Sequence, residues 1–310
     1  MDLDQFQAEA KNTDKMRGQR DSVEAIVIPL LGLAGEAGEL LSEYKKHLRD
    51  GNSHLLFKDR VKEELGDLLW YVSTVAERFD LSLNDVAEAN LRKTHDRWAA
   101  KPSKRSFDAA FDEAERLPRQ MLIELKDVVI DGKHRLRMHM NGEQLGDDLT
   151  DNSDDQDGYR FHDVFHLSYV AVLGWSPVLR KLLKRKRKSE PAIDEVQDGG
   201  RAQVIDEGIS ALVFEYAKQH NWLERVSEVD YQLLRTIKGL TSFLEVSERS
   251  AAEWQSAILQ GFAVWRAVVK NCGGQISVDQ DALSITYVGA PQMVCDPMPG
   301  VCTHHAGAES

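Results

Sequence analysis

Apolar residues recur every three or four positions through residues 1–100, a period typical of amphipathic helices that bury one face. One segment has a broad apolar stripe that includes Val61, Leu65 and Leu68. Ser82 and Asp85 begin another, with the spacing of a capping box in which Asp replaces the usual Glu or Gln. Four helices in succession predict an all-α four-helix bundle. The predicted helices cover residues 3–12, 22–49, 58–79 and 82–98.

The pattern changes after a polar, proline-containing stretch that begins at residue 100. Two segments alternate apolar and polar residues, and Asp131 and Gly132 between them suit a tight hairpin turn. An acidic loop is predicted at residues 147–158, followed by long helical segments and a final hairpin. The predicted strands are 121–125, 134–140, 275–278 and 282–288, and the predicted helices are 159–183, 201–220 and 231–270.

The predicted fold class is therefore mainly α, with a helical N-terminal bundle and a C-terminal α+β domain of short β-hairpins and long helices. Four segments are predicted along the chain. They are an N-terminal domain over 1–100, a linker over 101–118, a C-terminal domain over 119–290 and a disordered tail over 291–310.

Composition and charge argue against several classes of protein. The chain has 310 residues, enough for about two domains, and a formal net charge of -12, which argues against nucleic acid as a partner. No apolar run approaches the roughly 20 residues of a membrane span, and the N-terminus lacks signal-peptide features. The three cysteines do not suggest a disulfide framework. We therefore expect a soluble, cytoplasmic protein.

Two acidic pairs stand out within the helical region. Glu36 and Glu39 are three residues apart, as are Glu64 and Asp67, so each pair occupies one helix face. Small or apolar residues flank both pairs, which suggests that the carboxylates face inward, where uncompensated negative charge is costly. Oxygen ligands at such spacing suit Mg²⁺ or Mn²⁺. The four side chains are thus candidate metal ligands.

A polar line with two positive charges lies on the fourth predicted helix. Asn90, Lys93 and Arg97 are spaced at i, i+3 and i+7 and share one face. Carboxylates that hold metal and cations that hold phosphate oxygens together supply what polyphosphate hydrolysis requires. Trp70 and Tyr71 can stack on a base, although aromatic residues in a helical stripe more often belong to a core.

These motifs resemble, over residues 3–98, the all-α nucleoside triphosphate pyrophosphohydrolases of the MazG type. The family's Glu-x-x-Glu, Glu-x-x-Asp and Asn-x-x-Lys motifs occur here in order as Glu36/Glu39, Glu64/Asp67 and Asn90/Lys93. The resemblance implies Mg²⁺-dependent cleavage of an NTP or dNTP to the monophosphate and pyrophosphate, with the carboxylates as metal ligands. It also implies a homodimer or homotetramer. Residues 159–207 are similar to a C-terminal domain fused to some MazG-like enzymes, which brings no established activity.

A second constellation lies in the C-terminal part. His162 and His166 have the i, i+4 spacing of zinc-binding pairs, with Asp163 between them and Glu207 or Glu215 on a following helix as a further ligand. Hydrogen-bonded core or surface histidines are the alternative interpretation.

Two other features give less support for a functional site. The basic run from Arg180 to Lys188 suits a solvated helix end, with a phosphate-binding patch as the alternative. The tail holds Cys295, Cys302, His304 and His305, but no apolar pattern there would shape a metal pocket.

Three functional hypotheses follow. The first is a Mg²⁺-dependent nucleotide pyrophosphohydrolase in which Glu39 is the candidate acceptor of a proton from the attacking water, with activation of the water by the metal alone as the alternative. The second is a regulator whose helical bundle binds a nucleotide and whose C-terminal domain transmits that state to a partner. The third is a bifunctional hydrolase with its own metal site at His162 and His166.

Overall fold

The computed structural model describes residues 1–15, 22–99, 101–103 and 106–289. The chain divides into two compact units, Met1–His95 and a second unit that begins at Asp96. The predicted tail over 291–310, with its Cys and His residues, lies outside the described residues.

The first unit is helical, as the sequence predicts. Polar N-caps begin three of its helices, because the side chains of Asp2, Ser22 and Ser82 each accept a hydrogen bond from the backbone N–H three residues on. A π-helical turn, His95–Ala99, follows the last helix. The helices are α1 Leu3–Thr13, α2 Val23–Asp50, α3 Phe57–Arg78 and α4 Leu83–Thr94.

Helices α2 and α3 form the most extensive pair in this unit, and α1 packs against both α3 and α4. The buried guanidinium of Arg78 joins α3 to α2 and to the end of α1. Its Nε donates to the backbone oxygen of Ala25 on α2 (2.9 Å), and its Nη2 pairs with Asp14, the residue after α1. The indole Nε1 of Trp70 donates to Thr13 Oγ1 at 2.7 Å, so α3 is also tied to the end of α1. Trp70 is thus a structural residue in this chain.

The first unit buries few large apolar side chains. Its buried hydrophobic residues are mostly alanines, with Leu83 as the one large aliphatic among those described. Val27, Leu31, Leu41 and Leu48 on α2 are instead exposed, with 69% of the surface of Leu41 accessible. With Ala34, Gly38 and Lys45, which are also exposed, they follow an alternating four- and three-residue spacing along one face. We call these seven positions the α2 stripe.

The α2 helix is more apolar than its charged motifs suggest. With the turn that follows it, Val23–Ser53 is long and apolar enough to cross a membrane, by length and composition only. That finding corrects the expectation that no apolar stretch approaches this length. The same helix carries Glu36, Glu39 and Glu43 and is paired with α3, and charged side chains are costly inside a bilayer.

An antiparallel sheet of five strands forms one part of the second unit. The strands are β1 Gln120–Ile130, β2 Lys133–Met140, β3 Glu143–Leu149, β4 Gly273–Asp279 and β5 Ser284–Gly289, and their order in the sheet is β3-β2-β1-β4-β5. Asp131 and Gly132 both adopt positive φ in the turn between β1 and β2, as the hairpin prediction requires. The predicted acidic loop begins at residue 147, but residues through Leu149 form β3, which pairs with β2.

Two of the predicted long helices in this unit are broken. Gly174 adopts a left-handed conformation that ends one helix, and Pro177 begins the next. The segment predicted as 231–270 is interrupted by turns between its two helices, and Ser250 caps the second with a capping box to Glu253. The helices are α5 Asp163–Leu173, α6 Pro177–Leu182, α7 Pro191–Val196, α8 Gly200–Lys218, α9 Tyr231–Leu240 and α10 Ala251–Lys270.

One hydrophobic core joins the sheet to these helices. Trp175, Trp254 and Trp265 are fully buried in it, and α5 packs along α10. The segment predicted as a linker contributes as well, since Leu117 is buried in this core and Phe107 packs against it. The described residues 106–118 are therefore part of the second unit.

Two arginines of the basic run differ from the solvated helix end that the sequence suggests. Arg180 and Arg187 are fully buried, and neither is a solvated charge nor an open phosphate ligand. Arg180 Nη2 donates to Asp108 at 2.6 Å, and Arg187 forms ion pairs with Asp198 and Glu245 at 2.6 and 2.7 Å. These two cations belong to an internal network because buried charges need partners.

Candidate functional site

Three carboxylates from two helices converge in the first unit. Glu36 on α2 and Glu64 and Asp67 on α3 each offer an oxygen, and these oxygens all lie within 4.8 Å of one another. Glu36 and Glu64 are half-buried, whereas Asp67 is exposed. The three-residue spacing on α3 turns both of its carboxylates toward α2, as the sequence predicts.

Close packing of α2 on α3 brings the carboxylates together. Gly32 lies one turn before Glu36, and a Cβ atom built on it would be only 2.2 Å from the ring of Tyr71. Tyr71 in turn lies one turn beyond Asp67 and packs edge-on against Trp70, with ring centroids 5.0 Å apart. The aromatic pair therefore supports the helix contact next to the site. Base stacking is not required to explain it.

The electrostatics of the cluster favour a cation. Partial burial, followed by the charges of Glu36, Glu39, Glu63 and Asp67, raises the pKa of Glu64 above its usual value of 4.5. Within the part of the chain that the structure describes, no ion pair joins Glu36, Glu64 or Asp67 to a cationic side chain. Oxygen donors that form no direct ion pair with a cationic side chain fit a hard divalent ion such as Mg²⁺ or Mn²⁺.

Other acidic residues near the cluster differ in their surroundings. Glu39 is exposed and lies outside the three-carboxylate group, although its charge acts on Glu64. Glu43 is buried and already paired, with Lys46 and with His54 Nε2 at 3.3 Å. Glu63 is solvated and pairs with Arg60 at 2.8 Å, as expected for a residue on another face of α3.

The predicted phosphate-binding residues are divided between the two units. Asn90 and Lys93 lie on α4 in the first unit, where both are exposed and where α4 packs mainly on α1. Arg97 belongs to the second unit instead, with Nη2 3.7 Å from Glu228 and its guanidinium over the rings of Trp98 and Tyr231. Arg97 therefore has partners of its own within that unit.

A second group of ligand-type side chains lies in the second unit. His162, His166 and Glu207 each offer one atom within 4.8 Å of the others. Asp163 is buried beside them, with an oxygen 3.9 Å from His162 Nε2. The helical spacing of the two histidines is visible in the sequence, and the fold places Glu207, one of the two predicted further ligands, next to them. Glu215 is instead one of the acidic residues that surround Tyr159.

Asp206, which is not among the predicted site residues, orients His166 in this second group. Its carboxylate is fully buried, and Oδ1 lies 2.8 Å from His166 Nδ1. Burial lowers the pKa of His166, but the charges and hydrogen bonds of Asp206 and Glu207 outweigh burial and raise the pKa well above its usual value of 6.5. A possible signal was its place beside Glu207 in an otherwise apolar part of α8.

Comparisons with known proteins agree with this organisation. The family model of the MazG nucleotide pyrophosphohydrolase domain matches residues 29–99, and that of the MazG C-terminal domain matches residues 102–291. The second match alone covers more than half of the chain. The chain belongs to the MazG family.

Relatives add little further detail. The "Gene 37 protein" of Mycobacterium phage L5 is 37% identical over 101 residues, which is 31% of this chain and 89% of that protein. No solved structure matches the chain. The MazG nucleotide pyrophosphohydrolase match contains the whole three-carboxylate cluster, and the MazG C-terminal match contains the His162 group. Family membership therefore supports nucleotide pyrophosphohydrolase activity in general terms.

Proposed function

We propose that this MazG protein hydrolyses nucleoside triphosphates, ribo or deoxyribo, to the monophosphate and pyrophosphate in the presence of Mg²⁺. The observation that carries the proposal is the convergence of Glu36, Glu64 and Asp67 from two helices. A bound Mg²⁺, or Mn²⁺ in its place, would neutralise phosphate charge and increase the acidity of a water molecule.

The side chains of the chain have distinct parts in this reaction. Glu36, Glu64 and Asp67 would hold the ion, which would supply positive charge to the phosphate oxygens. Glu39 is exposed at the edge of the cluster and accepts the proton of the attacking water. Asn90 and Lys93 bind phosphate oxygens through an amide and a positive charge. Arg97, the third predicted phosphate-binding residue, belongs to the second unit and has its own partners there.

The assembly that we propose is a homodimer or a homotetramer. The first unit has few buried apolar side chains, and the α2 stripe is exposed over its whole length. At 100° per residue, the stripe lies roughly opposite Glu36 and Glu39. The alternating spacing of the stripe suits a helix from a second copy, whose packing would supply the missing core. A nucleotide substrate agrees with a cytoplasmic location.

A product assay tests the activity. Purified full-length protein is incubated with a panel of NTPs and dNTPs, with Mg²⁺ and with a chelator, and products are separated by chromatography. We expect monophosphate and pyrophosphate with Mg²⁺ only. Asp67→Ala and Glu39→Ala should lower kcat about a hundredfold or more, because several kcal/mol of transition-state stabilisation depend on the ion and the base.

A neighbouring carboxylate serves as the matched control. Glu63→Ala alters an exposed residue of α3 whose partner is Arg60, and we expect nearly unchanged turnover. Circular dichroism checks that each variant keeps its helices. Full activity in Asp67→Ala would refute the assignment. Tight nucleotide binding with no product over hours would favour a nucleotide-responsive regulator.

A further inference from the structure

We propose that His162, His166 and Glu207 form a binding site for a divalent transition-metal ion of the zinc class. The site belongs to the second unit alone and is independent of the proposed Mg²⁺ cluster in the first. It has three protein ligands and a side open to solvent, the arrangement that leaves a coordination position for water or another small ligand.

The ligand atoms have suitable spacing for such an ion. Glu207 Oε2 lies 3.5 Å from His162 Nε2 and 3.3 Å from His166 Nε2. Tetrahedral zinc with bonds of about 2.0–2.2 Å requires ligand atoms that are about 3.3–3.6 Å apart. The two edges of the site that include Glu207 therefore need little rearrangement to accept the ion.

Both imidazoles are oriented by their other ring nitrogen. His162 Nδ1 lies 2.9 Å from the backbone oxygen of Tyr159, and His166 Nδ1 lies 2.8 Å from Asp206 Oδ1. Oxygen acceptors at these positions hold the proton on Nδ1. Each Nε2 lies toward Glu207 and would release any proton that it carries when it bonds to the ion. The arrangement around His166 is a carboxylate–histidine pair, which orients metal ligands in many sites.

A further layer of contacts fixes the orienting groups. Asp206 Oδ2 accepts hydrogen bonds from Ser176 Oγ at 2.6 Å and from the backbone N–H of Val178 at 3.2 Å, so both carboxylate oxygens are held. The Tyr159 ring stacks on His162, with centroids 4.6 Å apart and planes inclined by 9°. Such support lowers the entropy lost when the ligands bind an ion.

Burial and charge separate this site from an ordinary core histidine. His166 is fully buried and His162 nearly so, whereas 46% of the Glu207 side chain is accessible. Asp206 accounts for the Nδ1 of His166 only, whereas the Nε2 atoms of both histidines are directed to the one carboxylate of Glu207. Imidazole with carboxylate favours Zn²⁺, Co²⁺, Fe²⁺ or Mn²⁺ over Mg²⁺.

Metal binding by the untagged full-length chain tests the proposal. The protein is dialysed against chelator, reloaded with Zn²⁺ or Co²⁺ and analysed for metal content, and the visible spectrum of Co²⁺ reports its coordination. The variants are His162→Ala and Glu207→Gln, and His220→Ala is the matched control because His220 is an exposed histidine of the same unit. No nucleotide is present, so failure of the pyrophosphohydrolase assay does not affect the result.

We expect about one ion per chain in the wild type and in His220→Ala, and substantial loss in both site variants. A Glu36→Gln/Asp67→Asn variant, which lacks two carboxylates of the first unit, should keep the ion. Asp206→Asn should bind it about 10–100-fold more weakly, because the orientation of His166 is disturbed. The proposal would be overturned if the Glu36/Asp67 variant lost the ion while Glu207→Gln retained it. It would also be overturned if the wild type bound neither Zn²⁺ nor Co²⁺ stoichiometrically. Glu207 is partly exposed, so Glu207→Gln keeps the test valid if His162→Ala misfolds.

Discussion

Single acidic residues in this chain differ in what neutralises them. Asp108 and Asp198 are buried against Arg180 and Arg187, and their charges are satisfied inside the protein. Glu64 has other carboxylates as near neighbours, and its pKa is raised. The first kind of residue stabilises a fold, and the second kind is suited to a cation from solution. Residue type alone does not distinguish these two kinds of carboxylate, because the difference lies in the charge of the neighbouring side chains.

A substitution at Lys93 tests phosphate binding at this scale. Lys93→Gln removes a charge that we place on the substrate phosphates, and a charged hydrogen bond contributes about 1.5–3 kcal/mol. We therefore expect kcat/KM for the nucleotide to fall about 10–100-fold, as measured by steady-state pyrophosphate release. Arg92→Gln is the matched control, since the adjacent Arg92 is exposed and only loosely paired with Glu88 at 3.5 Å. Equal losses in both variants would argue for a general charge effect.

Asp108 gives the stability of the second unit a pH dependence. Burial raises its pKa, but the charge of Arg180 and hydrogen bonds from Ser106, Leu117 and Arg180 outweigh burial and lower it below the usual 3.8. A lowered folded-state pKa stabilises the protein above the unfolded pKa, and this contribution is lost as pH falls through the folded value. Asp108→Asn should cost about 3–5 kcal/mol at neutral pH, because it leaves Arg180 without its buried partner.

Urea unfolding at several pH values measures this effect. The free-energy difference between wild type and Asp108→Asn should be largest above about pH 4 and shrink as the solution becomes more acidic. Asp281→Asn is the control, because Asp281 forms an exposed pair with Arg119, and such pairs contribute about 0–1 kcal/mol. A difference that stays constant with pH would exclude ionised Asp108 as the source.

At the scale of elements, the site in the first unit depends on how closely two helices approach. Glu36 comes from α2 and Glu64 from α3, so their separation is set by the packing between those helices. Gly32 against the Tyr71 ring is the tightest contact among the glycines of α2. Geometry at the carboxylates should therefore respond to a substitution that changes no charge.

Gly32→Ala tests this dependence. The added methyl group would meet the Tyr71 ring at 2.2 Å, so the ring or the helix must move, at a cost of about 1–3 kcal/mol. We expect lower thermal stability by circular dichroism and slower pyrophosphate release. Gly35→Ala is the control, because nothing lies within 4 Å of its added Cβ and alanine favours helix by up to about 1 kcal/mol. Wild-type behaviour of Gly32→Ala would mean that the Tyr71 ring moves freely.

At the scale of the whole molecule, the two units differ in how they bury apolar surface. The second has a continuous core that includes three tryptophans, whereas the first exposes aliphatic side chains such as Leu41 and Leu48. A helical unit with so little buried apolar area gains stability by association, since apolar burial is the main favourable contribution to folding. The MazG domain of this chain is thus the part expected to depend on a second copy.

Leu41→Glu should disrupt that association. It places a charge in the α2 stripe, where burial against another helix would leave the charge without a partner. Light scattering during size-exclusion chromatography should give a multiple of the chain mass for the wild type and a lower mass for the variant. Leu55→Glu is the control, because Leu55 is 87% exposed and lies outside the stripe. A monomeric wild type would contradict the proposed assembly.

Local sequence determined much of the fold. The cap at Ser82, the turn at Asp131 and the helical spacing of Glu64 and Asp67 follow from interactions within four residues, and all are present in the structure. The same local patterns predicted the helices of the first unit and most strands of the second. They did not predict β3, whose acidic residues resemble a loop, or the break at Gly174 within an apolar stretch.

Local sequence shows which side chains share a helix face, because that depends only on residues within a turn or two of each other. Tertiary structure decided which of those faces meet. It buried Arg180 against Asp108, 72 residues earlier in the chain, and it brought Asp206 and Glu207 to the two histidines of α5 and the turn before it. Contacts of that kind depend on the packing of distant elements, and composition and periodicity carry no record of the partner.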